Sequence, residues 1–192
     1  ASRILVGTSP QADAMRARTR SVAPTEAEVL ISGPPGSGFT KVAEVIHLMS
    51  PRAQGPFVKR PCAGLAPPAL IETGQKTEGG TLYLDEPAAL PLASQYALLE
   101  LLENASPCRI VCGGTANLSE LVGQGAFLPD LFYRLDVMRV RIPALSERPE
   151  DIPVLFRHYV SQAAEQAVGE APEPKPQTLA GLMAQEWPGN TR

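Results

Sequence analysis

At 192 residues with 44% hydrophobic side chains, the chain has apolar material for one medium domain, or one domain with a small appendage. A net charge of −3 gives no electrostatic footprint for gripping nucleic acid, no apolar run is long enough to span a bilayer, and Ala1 opens no signal peptide. Cys62, Cys108 and Cys112 lack the paired spacing and His partners of a zinc site, and read as buried thiols in a reducing cytoplasm.

In chain order, Gln11 to Val22 reads as a helix entered through Ser9 as N-cap and Pro10 as first helical residue. "AEVLISG" is a short buried strand running into a glycine-rich turn. Thr40 to Met49 then carries Val42, Val45, Ile46 and Met49 at helical spacing. "GPFVKRPC" is a second strand, broken by Pro61, and Ala66 to Thr77 a proline-bearing connection with at most a short helix. Thr81 to Leu84 is an apolar strand ending in two carboxylates, and "PLASQYALLELLENA" is a strongly amphipathic helix. "CRIVCGGT" is a strand, "LSELVGQG" a helix stopped by glycine, "LPDLFYRL" another helix and "VMRVRIP" the last strand. Strands alternating with helices predict an α/β fold, a parallel sheet covered on both faces. From Glu150 the strands stop, and "EDIPVLFRHYVSQAAEQAV" and "PQTLAGLMAQEW" are two helices joined by a proline-rich linker. Residues 1–149 therefore read as an α/β core and 150–192 as the start of a helical domain. With no initiator Met, and "WPGNTR" opening a further helix at its end, the sequence reads as a piece of a longer chain.

The stretch "VLISGPPGSGFTKVAEVIH" has the layout of a phosphate-binding loop, G-x-x-x-x-G-K-[ST], with Gly33, Gly38 and Thr40 in place. Its glycines, Gly36 included, let backbone N–H groups approach phosphate oxygens, and the following helix adds its dipole. Phe39 stands where the pattern requires lysine. Lys41, about 200° around the helix from Phe39, is expected to point away from the phosphates. Left in water, a phenylalanine side chain forgoes roughly 1.5–3 kcal/mol of burial. Phe39 should therefore turn inward, under the loop or across the phosphate position. "TLYLDE" supplies the other half of an ATPase site: Asp85 to hold Mg²⁺ together with Thr40, and Glu86 to orient the attacking water. His47 and His158 read as packing or surface residues, since neither has a Cys or Ser partner.

Together, "VAPTEAEVLISGPPGSGFTKVAEVIH", "GGTLYLDEPAALPLASQYALLELLE", "LPDLFYRLDVMRVRIPALSERPEDIPVLFRHYV" and "WPGNTR" resemble the central AAA+ domain of bacterial sigma-54-dependent transcription activators of the response-regulator type. The resemblance covers nearly the whole chain and implies a P-loop NTPase (AAA+) three-layer core followed by a helical lid. It also implies ATP/ADP and Mg²⁺ as ligands, ring or dimer self-association, and ATP-driven remodelling of RNA polymerase. DNA would be bound through a helix-turn-helix domain outside this chain. Thr115 falls in the sensor-I region, Arg192 at the sensor-II arginine, and Arg134 at the second of two arginine fingers, while Leu128 replaces the first. The loop that touches the sigma factor is missing between Cys62 and Gly79, the hairpin before the sensor-I strand is cut to "NASPC", and Gly125-Ala126-Phe127 only mimics the missing loop's letters. These losses favour a regulatory module with weak or absent nucleotide binding and no ATPase activity. A working activator ATPase is the alternative, and an unrelated P-loop kinase a third reading that "RLDV" through "ERPEDIP" argues against.

Overall fold

A computed structural model describes residues 7–147 and 149–167. The chain enters through α1 (Pro10–Val22), with the Ser9 hydroxyl capping it by accepting from Ala12 N and Pro10 in the first turn, as expected. Five strands follow: β1 (Val29–Ser32), β2 (Phe57–Pro61), β3 (Thr81–Asp85), β4 (Arg109–Gly114) and β5 (Met138–Arg141). All pair in parallel, in the order β2-β3-β4-β1-β5. The helices between and after them are α2 (Phe39–Leu48), α3 (Pro67–Lys76), α4 (Leu92–Glu103), α5 (Leu118–Gly123), α6 (Pro129–Leu135) and α7 (Ile152–Ala167).

Alternation along the strands divides the core in two. Ile31, Tyr83, Val111 and Val140 pack against Met15 and Val22 of α1 and Val42 and Ile46 of α2. Leu82, Leu84, Ile110 and Cys112 face Leu70, Leu98, Leu102, Leu131 and Leu135 on the opposite side. This is the expected three-layer α/β core, and a strand buried on both faces needs the continuous apolar run that β4 shows from Ile110 to Gly114. Because the strands are parallel, their C-terminal ends form one rim. β1 lies between β4 and β5, while the next strand in the chain lies at the far edge. The crevice outside β1 and β4 is therefore the topological switch point, where such sheets bind ligands.

Three expectations are corrected. Ala66 to Thr77 is not a loose connection: α3 is a ten-residue helix, because Pro67 falls in its first turn, where a missing N–H does no harm. Pro61 does not break β2 but ends it, in register with Asp85, on an edge strand that tolerates proline. α4 is less cleanly amphipathic than its letters suggest. Ser94 and Gln95 are buried in it while Leu92 and Tyr96 are exposed, because Ser94 Oγ donates to Leu65 O and Gln95 spans Leu90 O and Leu128 N.

Two buried charges join distant segments. Arg109, 3% exposed, donates to Ala27 O, Ala23 O, Val22 O and Thr25 Oγ1, so a guanidinium closes the C-terminal turn of α1. Asp151, ahead of α7, accepts from Ser9 N at 2.7 Å and from Thr8 N and Ser9 Oγ, both at 2.5 Å. The helix expected after the proline-rich linker, and Arg192, lie outside the described residues.

Candidate functional site

The loop from Gly33 to Gly38 joins β1 to α2 at the switch point. Gly36 and Gly38 have φ of +74° and +81°, a region an L side chain rarely adopts, and Gly38 is the N-cap of α2. Ser37 Oγ donates to Pro34 O and closes the turn. A recess of about 590 Å³ opens here, lined by Pro35 to Lys41 with Asp85, Glu86 and Thr115. One cavity thus gathers the loop glycines Gly36 and Gly38, Thr40 and both carboxylates, as the sequence predicts, while Gly33 forms the loop's base, its Cα facing Ile142. Lys41 borders the recess as well, because the first turn of α2 presents its backbone to the helix mouth.

Phe39 takes the inward route. It is 8% exposed and belongs to the cluster of Met15, Ile31, Tyr83 and Val111, beneath the loop. A Cβ on Gly113 would stand 3.0 Å from Phe39 Cβ and 2.6 Å from the Tyr83 hydroxyl, so only glycine fits β4 at that point. Phe39 also borders the recess, so an apolar residue stands at the position where the pattern requires an ammonium.

Asp85 and Glu86 leave the end of β3 in different ways. Asp85 Oδ1 accepts from the Tyr83 hydroxyl at 2.9 Å. Glu86 sits in the left-handed region at φ 54°, uncommon for a residue with a side chain, with its N–H bonded to Gly113 O at 2.8 Å. Both its carboxylate oxygens accept from Thr115 N at 3.2 Å, and a Cβ on Gly114 would come within 2.7 Å of Glu86 Oε2. The residue beside this turn on β2 is Pro61, which has no N–H or polar side chain to offer. Thr115 is thus joined to Glu86 through its backbone, and Asn117 caps α5 by accepting from Ser119 N at 3.1 Å.

Arg134 is not brought to this recess. It lies on α6 and donates to Leu102 O at 2.5 Å. Leu128 is the N-cap of α6 and carries no charge. Of Gly125 to Phe127, the glycine and alanine are exposed in the turn after α5, while Phe127 is buried in the core rather than carried on a projecting loop. α3 alone lies between Cys62 and Gly79, and five residues separate α4 from β4.

Thr40 and Asp85 offer the hard oxygen donors that Mg²⁺ takes, a set that phosphate oxygens and water complete. Among the described residues no cluster of three His, Cys, Asp or Glu side chains could hold a metal unaided. Burial, with the Asp85 and Glu86 charges adding to it, pushes the Cys62 thiol up to about 12, so it is no nucleophile beside the site. Burial likewise raises the Tyr83 phenol, with Asp85 adding to it. Sequence reasoning missed Tyr83. Its signal was a phenol in an apolar strand two residues before Asp85, a spacing that puts both on one face.

The chain matches the Sigma-54 interaction domain family over residues 6–145 and the AAA+ ATPase lid domain family over 146–192. It is 34% identical to the C4-dicarboxylate transport transcriptional regulatory protein DctD of Rhizobium meliloti, over 98% of this chain and 48% of the relative. That alignment runs over 220 positions, so at least 28 of them, 220 less 192, are gaps in this chain. The DNA-binding transcriptional regulator NtrC of Escherichia coli is 38% identical over 85% of this chain and 42% of its own. The crystal structure of NtrX from Brucella abortus in complex with ADP superposes with a TM-score of 0.91 at 37% identity, over 97% of this chain and 48% of that one. The same protein in complex with ATP gives 0.89 at 36% identity, over 97% and 49%. The chain spans about half the length of the curated relatives it matches.

Proposed function

This chain belongs to the sigma-54 interaction domain family of AAA+ transcription regulators, and on that premise we propose that it is a regulatory module without efficient ATP hydrolysis and without a grip on sigma-54. The observation that carries this reading is Phe39, which fills the lysine position and lies buried beneath the loop. A hydrogen bond to a charged group is worth roughly 1.5–3 kcal/mol, so its loss weakens nucleotide binding by about 10- to 100-fold. Leu128 removes one finger charge, and a finger is worth about 10³–10⁵ in phosphoryl-transfer rate. The short connection between Cys62 and Gly79, which holds α3 alone, leaves no projecting loop there to reach a sigma factor.

Residues 1–149 serve as the nucleotide-binding core and 150–192 as the lid. The loop amides of Gly36 and Gly38 and the N-terminus of α2 would cradle the phosphates of ATP or ADP at millimolar or weaker affinity. Gly33 holds the loop's base on β1 and Thr115 faces the terminal phosphate. Thr40 and Asp85 would hold Mg²⁺, which when bound offsets phosphate charge. Glu86 is the residue that would orient water, but both its oxygens rest on Thr115 N–H. Arg134 and Arg192 are assigned to a neighbouring subunit's site and to the lid's phosphate contact. The NtrX structures with ADP and ATP support nucleotide recognition across the family. The module acts in the cytoplasm by self-association and signal transmission within a longer regulator, which reaches DNA and RNA polymerase through other parts. No helix among the described residues is long and apolar enough to cross a membrane.

A phosphate-release assay across a range of protein concentrations tests the reading, together with sizing of the protein mixed with sigma-54 and a transition-state analogue. Background turnover and separate elution are expected. Concentration-dependent turnover abolished by Glu86→Gln, or co-elution, overturns it in favour of a working activator.

A further inference from the structure

Strand β3 carries a hydroxyl that neither the glycine loop nor the paired carboxylates require. Tyr83 leaves the sheet on the same face as Asp85 and is 1% exposed, so its phenol must find partners inside the protein. It donates to Asp85 Oδ1 at 2.9 Å. With its one proton given to Asp85, the phenol fixes the rotation of that carboxylate and leaves Oδ2 outside this bond, while Thr40 lines the same recess. Gly113 makes the room: a Cβ there would stand 2.6 Å from the phenol oxygen. The same glycine admits Phe39, so the side chain that displaced the lysine and the hydroxyl that holds Asp85 share one opening in β4.

We propose that Tyr83 is a positioning residue for a divalent cation, its phenol fixing Asp85 as an oxygen ligand beside Thr40 and making phosphate binding by this chain depend on that cation. The proposal rests on the reading of the recess as a weak nucleotide site. With an apolar side chain in the lysine position, more of the attraction for phosphate falls to the metal. Orienting partners of metal ligands typically contribute 10- to 100-fold to metal affinity. Tyr83→Phe keeps the ring and its packing and removes the bond to Asp85.

The test is the affinity for a fluorescent ADP, read by anisotropy in Mn²⁺ and in EDTA. It is measured on the unaltered protein and on Phe39→Lys, each with and without Tyr83→Phe. The Mn²⁺-to-EDTA affinity ratio is expected to fall about 10-fold or more on Tyr83→Phe, while the EDTA affinity and the urea midpoint hold. A purely structural role for Tyr83 moves the urea midpoint and leaves that ratio in place. A ratio unchanged or raised by Tyr83→Phe in the Phe39→Lys background overturns the proposal, the rise meaning that the phenol obstructs the cation. An absence of any Mn²⁺ effect in every form overturns it too. Tight binding or turnover by the unaltered protein would instead refute the functional reading and leave this comparison intact.

Discussion

Phe39→Lys restores the loop's missing cation at a measurable loss of core. Phe39 is 8% exposed among Met15, Ile31, Tyr83 and Val111, and deleting such a ring to alanine costs about 3–5 kcal/mol. The lysine stem recovers part of that by lying along the same surface with its ammonium in the recess, which leaves a loss of about 2–3 kcal/mol, by difference from the alanine figure. Against a domain stability of about 5–15 kcal/mol, the variant folds. Its thermal midpoint drops by about 4–12 °C, at 2–4 °C per kcal/mol for a chain of this size. On the other side, a charge-assisted hydrogen bond of roughly 1.5–3 kcal/mol tightens nucleotide binding by about 10- to 100-fold. Anisotropy of a fluorescent ADP in Mg²⁺, with circular dichroism to verify folding, reads both sides at once. Phosphate release stays at background, because Leu128 still supplies no finger charge. A folded variant without a gain in affinity would refute the reasoning, placing the defect in the loop's backbone rather than in the missing ammonium. Restored turnover would refute the part assigned to Leu128.

Gly113→Ala forces a methyl to 2.6 Å from the Tyr83 hydroxyl and should destabilise the fold by about 1–3 kcal/mol in urea; an unchanged midpoint would mean that Phe39 and Tyr83 move aside freely. Arg109→Met strips the donors from the carbonyls of Ala23 and Ala27, while Val22 O keeps those of Thr25, and at about 1–3 kcal/mol per buried unsatisfied group should destabilise by at least about 2 kcal/mol. Hydrogen exchange at the end of α1 should speed up first. His47 is buried between Thr81 Oγ1 and Gly55 O, and burial lowers its pKa from 6.5. The unfolded chain then takes up the proton first, so stability is full above about pH 7 and falls as pH drops below 6.5. His47→Gln should flatten that part of the thermal-midpoint profile, and an unaltered slope would assign it to other groups.

What the sequence disclosed depended on how local each signal was. The glycine loop, the carboxylates after β3 and the inward turn of Phe39 were legible, because a few neighbouring residues and the burial of one ring determine them. α3 was not, because two prolines side by side read as a loop until one of them falls in a helix's first turn. α4 reads as strongly amphipathic from its letters, yet contacts from Leu65 and Leu128 draw Ser94 and Gln95 inward while Leu92 and Tyr96 stay exposed. Tyr83 needed knowledge of Gly113 across a strand pairing that brings together residues from opposite ends of α4. Arg109 gave no sign at all: an arginine opening a strand looks like surface, and its partners lie more than eighty positions upstream.

That last contact has a mechanical side. β4 is about 20 Å long, at 3.3 Å per residue, and is buried along its full length. At its base a guanidinium bolts it to the closing turn of α1. At its tip Gly113 and Thr115 brace Phe39, Tyr83 and Glu86. Such a strut has little give between its ends. A tug that shifts the last turn of α1 must tear a buried cation from four acceptors or be felt, almost undiminished, where the carboxylates sit.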